Sequence, residues 1–240
     1  KSKVLDTNVP EHLRSSDNTW FALSKRARIV AISKDRVTRD EIKRIEDLQD
    51  LKWRGRLCSR PGSHVYNRSL LASIIAANGA EKATRWAKGL VANLARRPQG
   101  NDRAQIKAIH SGECDVALVN HYYYGKLLFS NVADQRTWAK SVNLIFTNQG
   151  DRGNHVNISG GGVVKYSKNK ENAIRLLEFL TEQTAQRLYG EINFEYPVNP
   201  AVAIGKELRS WGDFKEDKIE IEKIASLARD AQKIIDKAGW

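Results

Sequence analysis

Four of the seven tyrosines fall in two short segments. Tyr66 stands alone, while Tyr122, Tyr123 and Tyr124 are consecutive. A neutral phenol, with a pKa near 10, is a poor metal ligand. A trivalent cation, however, carries enough local charge to remove its proton, as bound zinc does for water or a thiol. The phenolate is then a hard anionic oxygen donor. Hard cations prefer such donors, whereas soft metals take Cys or Met. The chain has no methionine and only two cysteines, so it offers no soft cage, and ferric iron is the hard trivalent ion this donor set suits. Residue types alone leave a second reading open. Tyrosines at helix starts also pack ring-inward with the hydroxyl in water, and three in a row could form a sugar-stacking surface. No nucleophile, base and orienting partner stand together, so the chemistry indicated is binding rather than catalysis.

Both tyrosine segments must reach one place if they serve one ligand. Residues 56–59 read as a short strand after the Gly55 turn, and a helix from about Val65 stops at Gly79, a fitting C′ residue. Tyr66 thus follows a strand and opens a helix. Residues 115–120 form an apolar strand of the kind covered on both faces, and a helix follows at about 123–129, so Tyr122–Tyr124 occupy the equivalent position. In open α/β sheets ligands bind beyond the carboxyl ends of strands. Elsewhere Thr38 and Glu41 make a capping box ahead of Ile42, Ile45 and Leu48 at helical spacing. Helices are expected at 81–89, 102–110, 170–188 and 220–237, with a strand near 92–96. This alternation argues for an α/β lobe with a mostly parallel sheet. Extended segments at 28–33, 142–147 and 156–165, the last with three consecutive glycines, read as hinge crossings between lobes. The expected division is 1–30 as part of an N-terminal lobe with the first hinge strand, 31–145 as a complete lobe carrying the tyrosines, and 146–240 as the second hinge strands with helices packing on the N-terminal lobe.

At 240 residues, 41% hydrophobic, the chain can bury one large core or two smaller ones. It has no run of eighteen apolar residues that could span a membrane. Position 1 is not methionine, and reads as a processed end or an internal cut. The net charge of +12 would suit a polyanion, but the basic residues are spread out. The densest run, Ser24-Lys25-Arg26-Ala27-Arg28, leads straight into an apolar segment. No nucleic-acid motif is present, so a diffuse solvated excess is the reading adopted. Cys58 and Cys114 fit no metal or redox motif. They are two buried thiols or one disulfide of an oxidising compartment. If their strands are neighbours, a separation of about 4.8 Å brings them within disulfide range.

Two segments, SRPGSHVYNRSLLAS (59–73) and CDVALVNHYYYGKLL (114–128), resemble the ligand-bearing motifs of periplasmic ferric-iron-binding proteins, the bacterial transferrins of ABC importers. WFALSKRARIVAISKD (20–35), DLKWRGRLC (50–58) and EYPVNP (195–200) add to the resemblance, which runs from about Lys3 to Trp240. It implies a two-lobed type II periplasmic-binding-protein fold, α/β, with hinge strands and with part of the N-terminal lobe outside this chain. The metal ligands it implies are Tyr66 and an adjacent pair two positions after Asn120, namely Tyr122 and Tyr123; Tyr123 with Tyr124 is the alternative register. It also implies a synergistic anion such as carbonate near Ser63, Arg103 and Asn120, with His64 and His121 as loop neighbours of the site. The implied role is to hold Fe(III) in an interlobe cleft, as a periplasmic or lipid-anchored monomer, and to hand it to an ABC permease. The alternatives are another solute on this fold (an inorganic anion, thiamine or a polyamine) or a ligand-sensing domain of a regulator.

Overall fold

In the computed structural model, which describes residues 2–240, the chain forms two compact units. One unit takes the segment ending at Arg26, Val156–Asp213 and Lys218–Glu222; the other takes Ala27–His155, Phe214–Asp217 and Lys223–Trp240.

The first unit contains α1 (Lys3–Asn8) and the opening of β1 (Phe21–Ser33). It also holds β5 (Val156–Gly161), α7 (Lys170–Thr181), α8 (Gln183–Asn193), α9 (Lys206–Ser210) and the start of α10 (Ile221–Ser226). β5 pairs with β1. Leu5, Val9, Leu13, Phe21, Leu23, Leu177 and Val198 make its core.

The second unit carries the tyrosines. Its sheet has the order β2-β3-β1-β4, with β2 Leu57–Cys58, β3 Val116–Asn120 and β4 Val142–Ile145. β2 and β3 are parallel. β1 runs antiparallel to β3, with Arg28 opposite Asn120, and antiparallel to β4. The sheet is therefore mixed, not mostly parallel. An apolar strand covered on both faces is buried whichever way its neighbour runs, so the sequence pattern cannot report direction. Helices α2 (Val65–Asn78), α3 (Ala80–Ala92), α4 (Asp102–His110), α5 (His121–Leu128) and α6 (Ala133–Lys140) complete the unit with α11 (Ala228–Ala238).

Several elements differ from their sequence expectation. The Thr38 capping box is present, but it heads a 3-10 turn, Arg39–Glu41, and the apolar residues after it form a second 3-10 segment, Ile45–Gln49. The strand expected near 92–96 reduces to one bridge between Leu57 and Leu94. Residues 170–188 break at the extended Glu182 between α7 and α8. The last helix does not join the first unit: α11 buries Ala231, Ile234 and Ile235 in the second unit, against α2 and α3. After it, Trp240 meets Trp86 edge to face and donates from Nε1 to Ser59 Oγ at 3.1 Å, while its carbonyl accepts from Gly62 N at 3.2 Å. A Cβ on Gly62 would lie 2.6 Å from the Trp240 ring, so only glycine lets this loop approach so closely. Cys58 and Cys114 form a disulfide with Cα atoms 5.9 Å apart.

Candidate metal site

Each tyrosine segment sits in the first turn of a helix that follows a strand. After β2 the chain turns through residues 59–64, and His64 caps α2 by accepting from the Tyr66 amide at Nδ1. Tyr66 is therefore held at the second position of α2. After β3, Asn120 is the N-cap residue of α5, and Tyr122 and Tyr123 are the second and third residues of that helix. The sequence pattern puts the start of this helix at about 123; it starts earlier, at His121.

The hydroxyls of Tyr66 and Tyr122 lie 3.0 Å apart. The Tyr123 ring stacks against Tyr122, with centroids 4.3 Å apart and planes tilted by 32°. Burial pushes the Tyr122 phenol well above its ordinary pKa, and its hydrogen bonds to Tyr123 and Tyr66 add to the shift. Burial also raises Tyr123, against a lowering hydrogen bond from Tyr122. Tyr124 faces other surroundings: burial raises it, and the charge acting on it is Arg39. Protons in such a cluster belong to the group rather than to one ring.

Four cations surround these rings. The guanidinium of Arg60 lies 5.0 Å and that of Arg28 5.9 Å from the Tyr66 centroid; Arg103 lies 5.5 Å from Tyr123, and Lys126 ammonium 5.5 Å from Tyr122. Neutral phenols held among cations can ionise once an incoming metal supplies the driving charge. Among the described residues, no group of three or more His, Cys, Asp or Glu could hold a metal.

The remaining sequence-derived residues divide. Ser63 is exposed and lies before the His64 cap rather than serving as the cap itself. Arg103 is exposed above Tyr123. Asn120 is buried, and its side-chain oxygen accepts from Arg28 at 3.2 Å. His64 is the last residue of its loop, whereas His121 is not a loop residue but the first residue of α5. His64 is the helix cap, and His121 is buried with Nδ1 accepting from Ala27 N at 3.1 Å. Sequence reasoning did not single out Arg28, Arg60, Asn67, Asp102 or Lys126. Proximity to the motifs was the one available signal, since Asn67 follows Tyr66 and Arg60 opens the same loop.

A family model described as bacterial extracellular solute-binding protein matches residues 2–215. The chain belongs to that family. It is thus a solute-binding protein of α/β architecture and not an enzyme. Iron uptake protein A1 of Synechocystis sp. is 46% identical over 240 residues, which is 100% of this chain and 67% of the relative. Among solved structures, Trichodesmium IdiA (FutA), in complex with iron and citrate, has a TM-score of 0.97 at 44% identity, covering 100% of this chain and 76% of its own. The ferric binding protein of Campylobacter jejuni has a TM-score of 0.95 at 39% identity, with coverages of 100% and 76%. No helix of this solute-binding protein is, among the described residues, long and apolar enough to cross a membrane.

Proposed function

We propose that this chain binds ferric iron through the phenolates of Tyr66, Tyr122 and Tyr123 and serves iron uptake. The observation that carries the reading is the approach of the Tyr66 and Tyr122 hydroxyls to 3.0 Å, with Tyr123 stacked beside them. A strong Lewis acid would take such converging phenols as phenolate ligands, and nearby cations favour the ionised form. The relatives named above for iron uptake and ferric binding support the same cargo. The reading includes the two-lobed architecture with hinge strands, a periplasmic setting and delivery to an ABC permease. A small synergistic anion, carbonate first among candidates, belongs with it; Arg103 above Tyr123 and exposed Ser63 are its proposed partners.

Titration with Fe(III) nitrilotriacetate in bicarbonate buffer tests this. The protein should turn orange-red as a phenolate-to-iron charge-transfer band grows to one iron per chain. Tyr66→Phe should weaken the band and cost more than the roughly 10–100-fold that loss of an outer partner costs in metal affinity. Retention of iron by a colourless protein would overturn the assignment.

A further inference from the structure

Beneath the phenols lies a set of charged side chains withdrawn from solvent. Arg28 is 1% exposed, and Asp102 and Asn67 are 0% exposed. Asp102 opens α4, and its carboxylate accepts three bonds. Arg60 Nη1 donates to Oδ1 at 3.0 Å, while Oδ2 accepts from Arg28 Nη1 at 2.8 Å and from the Asn120 amide at 2.7 Å. The Arg28 fork then reaches both tyrosine segments. Nη2 donates to Asn67 Oδ1 at 2.6 Å, and Nη1 also donates to Asn120 Oδ1 at 3.2 Å. Asn67 in turn donates from Nδ2 to the carbonyls of Arg60 and Pro61. Asn67 follows Tyr66 in the chain and Asn120 precedes Tyr122 by two residues, so one carboxylate and one guanidinium tie together the backbones that carry both phenols.

We infer that Asp102, acting through Arg28 and Arg60, is the positioning residue that holds the Tyr66 and Tyr122 phenols in register for the metal. A buried ion pair is weak as a source of stability, because desolvation offsets most of the attraction, and its best-attested use is to specify one arrangement. Here the planar fork meets Asp102, Asn67 and Asn120 at fixed angles, which a lysine ammonium on a flexible stem cannot reproduce. The cluster contains two cations and one anion, so a purely electrostatic role would survive Arg28→Lys, whereas a geometric one would not. This inference rests on the ferric-phenolate reading and adds what preorganises it.

The test compares wild-type chain with R28K, D102N and R60K by titration with Fe(III) nitrilotriacetate, reading both affinity and the charge-transfer band per bound iron. E46Q, in the partly exposed ion pair with Arg152, serves as the stability control. R28K and D102N should bind iron about 10–100-fold more weakly, with a shifted or diminished band, while E46Q lowers the melting temperature and leaves both unchanged. If D102N does not fold, R60K decides, since Arg60 keeps 12% exposure where Asp102 keeps none; it should show the same spectral shift in milder form. Wild-type affinity and an unmoved band in folded R28K and R60K would overturn the inference. A wild-type chain with no band at all would instead sink the ferric-phenolate reading itself.

Discussion

A phenol becomes a metal ligand only when its oxygen reaches a shared point and its proton has somewhere to go. Tyr66 and Tyr122 bring their hydroxyls to 3.0 Å, and the Tyr123 ring lies 4.3 Å from that of Tyr122 between centroids; on the proposed reading these three are the ligands. Tyr124, one helical step of about 100° further on, answers to Arg39 instead. Tyr124→Phe should therefore leave iron affinity and the charge-transfer band within error of wild type, while Tyr123→Phe should reduce both. A large loss with Tyr124→Phe alone would mean that the adjacent pair is Tyr123 and Tyr124. The tyrosines were legible in the sequence because type and place coincide: an oxygen donor stands just past a strand end. Their support was not. Arg28, Asp102 and Asn67 are charged or polar, and such residues are ordinarily exposed, so nothing short of their burial distinguishes them from solvated surface. Asn120 was legible as a strand end but not as a residue turned inward onto Arg28.

At the scale of elements, local signals with a stereochemical cause were readable. Gly79 stops α2 at a positive φ, +82°, which glycine adopts without steric cost, and the Thr38–Glu41 capping box is present. Breaks without such a cause were not readable: neither Glu182 nor Leu227 is a glycine or proline, yet helices end there. Strand direction was hidden for the same reason, since burial is blind to it. The disulfide belongs to this scale, because Cys58 closes β2 immediately before the loop leading to Tyr66. It joins residues 56 apart in sequence, and loop closure of that length is worth about 4 kcal/mol in the chain-entropy account. In a chain of this size that corresponds to roughly 8–16 °C in melting temperature. The C58A/C114A double variant should melt lower by an amount of this order in differential scanning calorimetry; an unchanged transition would show that the bridge contributes nothing. Such a bridge persists in an oxidising compartment, in keeping with the family's extracellular description.

For the molecule as a whole, acid is the condition its buried ionisable groups resist least. His155 is fully enclosed; burial first, then the charges of Arg152 and Arg28, push its pKa down to about 3. In the unfolded chain the ring takes a proton below its ordinary value of about 6.5. Between pH 6.5 and 3 the unfolded state thus binds more protons, and stability falls as pH falls. Glu46 acts in a lower window. Burial alone would raise its carboxyl, but hydrogen bonds from Asn148 and Arg152 outweigh burial and hold it at about 2. Its contribution is present above its ordinary value of 4.5 and is lost as pH falls from there through about 2. Acidification also adds positive charge to a chain already at +12, which increases self-repulsion in the compact state. Two overlapping losses follow, one starting near neutrality and one below pH 4.5. Melting temperature measured from pH 8 to pH 3 should be flat above about 7 and decline below it. His155→Gln, which keeps a neutral polar side chain, should flatten the part between about 6.5 and 4.5, while Glu46→Gln should lower stability at neutral pH and flatten the part below. A wild-type curve that stays level down to pH 4.5, or a decline that His155→Gln leaves untouched, would show that His155 is protonated in the folded chain after all.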